Sequence, residues 1–330
     1  MKWKWARFGL LSLVYGENSI TPQCLKCYFK EKCPVHIDNT YEKQDVVKFV
    51  YCLKETSPKQ WSSEFFDTRN QDEISNLNIQ SAFPEDRTYQ KPKVIQKSDL
   101  ARVDEVNLMV DMEKRPLLRY LSKLIYDGGN FNIICRQRHM KSILQELINY
   151  DKELIVLLKT TNFIFLIESE RFKLRFLSLN HFAPRYEEYF TPKVFFPLSL
   201  VVECYFDYFG ELPPFFLFEE RRDTQSIKEK KLLWHQSSKS ATWSFKQQLR
   251  KFMHSECLSF LKVCEQTTQL ISSIQNMLNE HCQKTYPIIC PFQYVSISTI
   301  FHELLATYTY NAFEFRVIKG DSYIFSSSFL

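Results

Sequence analysis

Residues 243–261 read Trp-Ser-Phe-Lys-Gln-Gln-Leu-Arg-Lys-Phe-Met-His-Ser-Glu-Cys-Leu-Ser-Phe-Leu, and no other stretch constrains the fold as tightly. Phe245, Leu249, Phe252, Met253, Phe260 and Leu261 recur at helical spacing, so the segment predicts a helix with one apolar stripe packed on a core. Glu256 falls on that same stripe, between Leu249 and Phe260. A carboxylate aimed at a core is costly unless a metal or hydrogen-bond donors compensate it. Two readings stay open. Either Glu256 sits at the stripe's edge with its stem packed and its head in water, or it belongs to a compensated polar site.

The chain around this helix has 330 residues, 45% hydrophobic and 25% charged, enough for a core and for more than one subdomain. Only 6 glycines occur, adjacent only at Gly128 and Gly129, which excludes both the dinucleotide fingerprint and the phosphate-binding loop. A net charge of +5 permits contact with phosphates without demanding it. The apolar passage 195–218 is interrupted by Glu203, Asp207 and Glu211, so no membrane span is expected. The start, Met1-Lys-Trp-Lys-Trp-Ala-Arg-Phe-Gly-Leu-Leu-Ser-Leu-Val, has a leader's basic opening and a short apolar run but no clear cleavage site. It is read as part of the fold or as a gene-boundary artefact, and the ten cysteines as reduced thiols of an intracellular protein.

Three regions separate along the chain. Residues 1–44 read as a small, irregular Cys/His segment. Residues 45–53 read as a β-branched and aromatic first strand, followed by a polar loop or insertion at about 54–105. Helices are expected at Leu117–Ile125 and Phe131–Ile148, then strands in the apolar runs 153–159, 162–168 and 172–179. From about residue 180 the chain reads as mostly helical. The fold class is α/β, a sheet flanked by helices.

Within that frame three segments could converge at one sheet edge: Leu53-Lys54-Glu55-Thr56 at a strand end, Asp127-Gly-Gly-Asn-Phe131-Asn132 before a helix, and Phe252-x-x-x-Glu256. Such a set suits a two-metal centre, with ions roughly 3.5–4 Å apart at a phosphodiester. At these residues the chain resembles the exonuclease region of protein-primed family B DNA polymerases of the Polinton/Maverick and adenovirus-like kind. The family's D-x-E-T keeps Glu55 and Thr56 and has Leu53 in place of Asp. Its Asn-aromatic-Asp motif has Asp127, Phe131 and Asn132, and its Tyr-x-x-x-Asp motif has Phe252 and Glu256. Phe176-Leu-Ser178-Leu179 is similar to its F-x-D-S-L strand, and Lys193 to Pro214 to its K-x-x-F-P…Y-x-G-x-x-P stretch. The resemblance covers roughly residues 46–310.

The resemblance implies an RNase H-like (DnaQ-like) exonuclease domain with a mixed sheet over 45–265, and a helical segment over 266–330 leading toward a palm domain. It implies DNA and nucleotide binding in DNA replication, a single-stranded DNA or primer-terminus partner, a terminal protein, Mg²⁺, and a nuclear, viral or mobile-element setting. Glu55, Asn132 and Glu256 stand at the catalytic positions, and Phe131, Ser178 and Phe252 at nucleic-acid-binding ones. Leu cannot ligate, Asn is neutral and Glu is one methylene long, so the nuclease is expected to be weak or dead. The palm's aspartate motifs do not appear before Leu330, so nucleotidyl transfer by this chain alone is not expected. An alternative is a non-catalytic single-stranded nucleic-acid-binding or interaction module on the same sheet. Separately, Cys24-x-x-Cys27…Cys33-x-x-His36 has the donors of a Cys₃His zinc site at compact spacing, or else its cysteines are free surface thiols. The resemblance favours such a Cys/His group just ahead of the first motif.

Overall fold

The structure, a computed structural model, describes residues 7–17, 45–57, 60–69, 72–78, 115–127, 129–137, 139–140, 142–143, 164–168, 172–183, 194–201, 205–220, 223–238, 242–283, 285–294 and 296–309. Seven strands make one mixed sheet: β1 Arg7–Glu17, β2 Asp45–Ser57, β3 Gln60–Asp67, β4 Glu73–Asn78, β5 Gly129–Cys135, β6 Ile164–Glu168 and β7 Phe172–Ser178. Their spatial order is β4-β3-β2-β1-β5-β7-β6. The first four form an antiparallel meander. β5 runs parallel to β1 and β7 parallel to β5, while β6 returns antiparallel on the far edge.

The centre of the sheet is the strand that sequence patterning assigned to an irregular segment. β1 pairs with β2 on one side and β5 on the other, and Phe8 through Val14 are all buried. A strand buried on both faces has no polar alternation to reveal it, and its continuous apolar run imitates a leader. The strand expected to open the sheet at residue 45 is therefore the second. Two further strands, β3 and β4, lie inside the stretch expected to be a polar insertion. Gly16 sits where β1 leaves the sheet, and a Cβ there would come within 2.5 Å of the Val201 carbonyl oxygen.

Among the described residues a helix packs on each face. Helix α1, Pro116–Asp127, matches the expected helix at 117–125 and begins on a proline, whose missing N–H costs nothing in a first turn. Its Leu117, Tyr120, Leu121 and Leu124 pack on Leu11, Leu13, Val50, Cys52, Ile133 and Phe176. β8, Phe209–Gly210, pairs antiparallel with β9, Trp243–Ser244, with helix α2, Gln225–Ser237, between them in the chain, and β9 leads into α3, Phe245–Cys282. The stripe read from the sequence is the one buried: Phe245, Leu249, Met253, Phe260 and Leu261 lie against Phe8, Leu10, Val14, Leu53 and Ile134, with Phe252 half-buried beside them. Burying a side chain of that size fully contributes about 1.5–3 kcal/mol, so this stripe fixes the helix on the sheet.

The region expected to be a helix from Phe131 begins instead as β5. Phe131, Ile133 and Cys135 face α1, and Ile134 faces α3, an alternation of period two. Of the described residues that follow, 137, 139–140 and 142–143 are helical. β6 and β7 fall within two of the three expected strand runs, and the third, 153–159, lies outside the described residues. Of the described residues from 245 onward, most are helical. Beyond the sheet, Gln275 of α3 donates to Pro287 O at 2.6 Å and accepts from Ile289 N at 2.8 Å, pinning the returning chain before α4, Ile297–Thr309. Among the described residues no helix is long and apolar enough to cross a membrane.

Candidate functional site

Strand register decides which of the expected site residues meet. Phe8 of β1 is paired with Asn132 of β5, and Asn132 with Arg175 of β7. On the other side, Glu55 lies one residue past the Gly9–Lys54 pair, so it flanks Phe8. Glu55, Phe8, Asn132 and Arg175 thus form one row across the α3 face of the sheet. Ser12 lies four residues further along β1, opposite Tyr51, and it is Ser12 that meets Glu256. Four residues of strand span about 13 Å. The three expected catalytic positions therefore do not converge: Glu55 and Asn132 share a row, and Glu256 belongs to another.

Glu256 is 2% exposed, so its head is not in water. The Ser12 hydroxyl donates to its Oε2 in a short contact, and the Arg136 Nη2 lies 2.5 Å from its Oε1. Arg136 follows β5 directly, its guanidinium 5.9 Å from the centroid of the Phe260 ring, one turn along α3 from Glu256. The next residue, Cys257, directs its thiol to Leu10 O at 3.3 Å. One oxygen of the carboxylate is thus hydrogen-bonded, while the other is ion-paired to Arg136 without a hydrogen bond. Removing one partner of a buried pair of this kind typically costs about 3–5 kcal/mol, because the other charge is stranded.

Neither Ser12 nor Arg136 was anticipated. Ser12 is the one polar side chain between Phe8 and Val14, and a hydroxyl in an apolar run opposite a stripe carboxylate was a readable signal. Arg136 was hidden by reading β5 as a helix, which sends its side chain elsewhere.

The other row is equally closed. Glu55 is fully buried and accepts from the Phe8 backbone N–H at 3.2 Å. Arg175 donates from Nε to Asn132 Oδ1 at 2.7 Å, and from its terminal nitrogens to the carbonyls of Phe292 and of Gln293, the latter at 3.1 Å. Burial lowers the Arg175 guanidinium below its ordinary basicity. The Asn132 Nδ2 is buried without a hydrogen-bond partner. Lys54, between Leu53 and Glu55, points to the opposite face. There it bridges Glu64 at 2.9 Å and Asp127 at 2.8 Å, and Lys123 reaches Glu64 at 3.0 Å. Burial alone would lower the Lys54 pKa, but the two carboxylates outweigh it and hold it raised.

The three positions expected to touch nucleic acid are placed differently from a stacking platform. Phe131 is 1% exposed beneath α1, with the Arg7 guanidinium 4.3 Å from its ring centroid. Ser178 is fully buried, 3.4 Å from Asn180 Oδ1. Phe252, half-buried, packs near Phe196 with centroids 6.0 Å apart. No two of them share an exposed surface.

The Mg²⁺ that the resemblance implies does not fit these residues. A two-metal centre needs several anionic oxygens around ions roughly 3.5–4 Å apart. Here the carboxylates of Glu55 and Glu256 stand in separate rows, and Glu256 already faces an arginine. Among the described residues no group of three His, Cys, Asp or Glu side chains could hold a metal ion. Cys24, Cys27, Cys33 and His36, the candidate zinc set, lie outside the described residues. Comparisons with protein-family models, with curated proteins and with solved structures give no match.

Proposed function

We propose that this chain is a catalytically silent exonuclease-like module of the protein-primed family B DNA polymerase type, engaging single-stranded DNA during replication without cutting it. The strand order supports the RNase H-like half of this reading: three antiparallel strands, β3-β2-β1, continue into β5 and β7, both parallel to β1. The order of the family-like sequence segments supports the polymerase half. One observation carries the silent half. Glu256 meets Ser12 and Arg136 rather than Glu55 and Asn132.

The test is end-labelled single-stranded DNA incubated with the purified chain and Mg²⁺ or Mn²⁺, followed by gel electrophoresis and mobility shift. The expected result is a salt-dependent shift with full-length DNA retained. Progressive 3′ shortening, abolished in Glu256→Gln, would overturn the silent reading. A second reading, an interaction module that contacts protein rather than nucleic acid, is favoured by the burial of Phe131 and Ser178. Absence of any DNA shift at low salt selects it.

A further inference from the structure

We infer that Arg136 is a built-in cation, a tethered side chain holding the position that a divalent metal would otherwise take beside Glu256, and that it makes this site independent of metal. The inference rests on the exonuclease-like reading only for calling the position a former metal site. Its chemistry stands on the contacts themselves.

A carboxylate with 2% exposure needs positive charge or several donors close by. Glu256 has one hydroxyl, from Ser12, and one guanidinium, from Arg136. The guanidinium is permanently charged, planar, and more weakly hydrated than an ammonium, so it suits a site sealed between a sheet and a helix. Its Cζ also lies 5.9 Å from the Phe260 ring centroid, and the Arg136 side chain is only 15% exposed. A divalent ion drawn to Glu256 would have to stand beside the Arg136 guanidinium in a medium of low dielectric, where the two positive charges repel.

Three elements bring these side chains together. Ser12 comes from the central strand, Arg136 from the end of the neighbouring parallel strand and Glu256 from the covering helix. Three side chains from three elements meet at one point, with the arginine supplying charge where the other two supply oxygen. A short oxygen ligand in place of Ser12 and a neutral one in place of Arg136 would turn the same point toward a metal.

Thermal denaturation with and without Mn²⁺ alone, no DNA present, reads this directly. The wild-type midpoint should not move with Mn²⁺. Ser12→Asp/Arg136→Asn should melt lower in chelator and gain about 5 °C or more at saturating Mn²⁺. Adding Glu256→Gln to that double variant should abolish the gain. A wild-type shift with Mn²⁺, or a folded double variant that ignores it, overturns the inference. Should the double variant not fold, Arg136→Lys against Arg136→Met decides. Lys keeps the charge and should retain most of the wild-type midpoint, whereas Met keeps only the bulk and should not; equal losses overturn the inference. Neither outcome depends on DNA binding, so failure here is distinguishable from failure of the proposed function.

Discussion

His254 sits on α3 two residues before Glu256 and meets Tyr51 of β2, the residue opposite Ser12. The Tyr51 hydroxyl and His254 Nδ1 are 2.7 Å apart, and the rings meet edge to face with centroids 5.7 Å apart. Burial, above all, holds the tyrosine well above its ordinary pKa, so its proton stays on and can be donated to a neutral imidazole. Burial also lowers the pKa of His254 below 6.5. The sign of the linkage follows. Above 6.5 the imidazole is neutral in both folded and unfolded chains and has no effect on pH dependence. As pH falls below 6.5 the unfolded chain takes up the proton first, so stability falls with it. His254→Gln, which preserves an acceptor for Tyr51, should therefore show a shallower loss of urea midpoint on acidification than the wild type. Half-buried His181, lowered by burial in the same sense, is present in both proteins and cancels. Parallel pH curves for the two would remove His254 from the account. At this scale the sequence revealed that Glu256 was out of place but not its partners, because a partner is defined by register, and register is set by pairing between distant strands.

Elements were legible where one face is wet and illegible where none is. The α3 stripe could be read because every third or fourth residue is apolar and the rest are not, which is the signature of one covered face. The same logic fails for β1, where Leu11 and Leu13 face α1 while Leu10 and Val14 face α3, so no polar residue marks either side except Ser12. It fails differently for β3 and β4. β3 carries Ser62, Ser63 and Glu64 between Trp61 and Phe65, and those polar side chains are buried by pairing and by the Lys54 and Lys123 ion pairs rather than by apolar packing. Because β1 is the element on which both cores depend, its exit is sensitive. Gly16 has no room for a methyl group: besides the Val201 carbonyl oxygen at 2.5 Å, the Lys48 Cγ lies 2.8 Å from the place a Cβ would occupy. The carbonyl belongs to backbone and cannot rotate away. Gly16→Ala should cost about 1–3 kcal/mol, as overpacking generally does, measured as a lower denaturant midpoint with unchanged slope. A midpoint equal to that of the wild type would mean that the loop carrying Val201 yields freely.

For the whole molecule, the question is how much positive charge is left for a nucleic acid. The chain holds 43 Lys and Arg against 38 Asp and Glu, a net charge of +5. Much of the described cationic side-chain set is already committed to carboxylates. Lys246 and Arg250 of α3 meet Glu73 of β4, Lys246 also meets Asp67 of β3, Arg119 meets Asp72, and Lys231 meets Asp223. Arg136 and Lys54 are spent inside the fold. The pairs of Lys246, Arg250 and Arg119 tie their helices to the sheet margin, Lys231–Asp223 is local to α2, and each cation so tied is a weaker phosphate ligand. Each phosphate neutralised on a single strand contributes about −0.7 to the slope of log affinity against log salt. If the net charge sets the number of phosphates engaged, single-stranded DNA should bind with a slope of about −3.5 or shallower, and affinity should fall only modestly as salt rises. A slope much steeper than this would require a concentrated basic surface. That surface would have to be supplied by residues other than the paired ones, since a cation already sharing a carboxylate releases fewer counterions on meeting a phosphate. A shallow slope, with DNA left intact in Mn²⁺, would agree with the proposed reading, in which the Glu256 site is filled by Arg136 and the remaining charge holds a strand without acting on it.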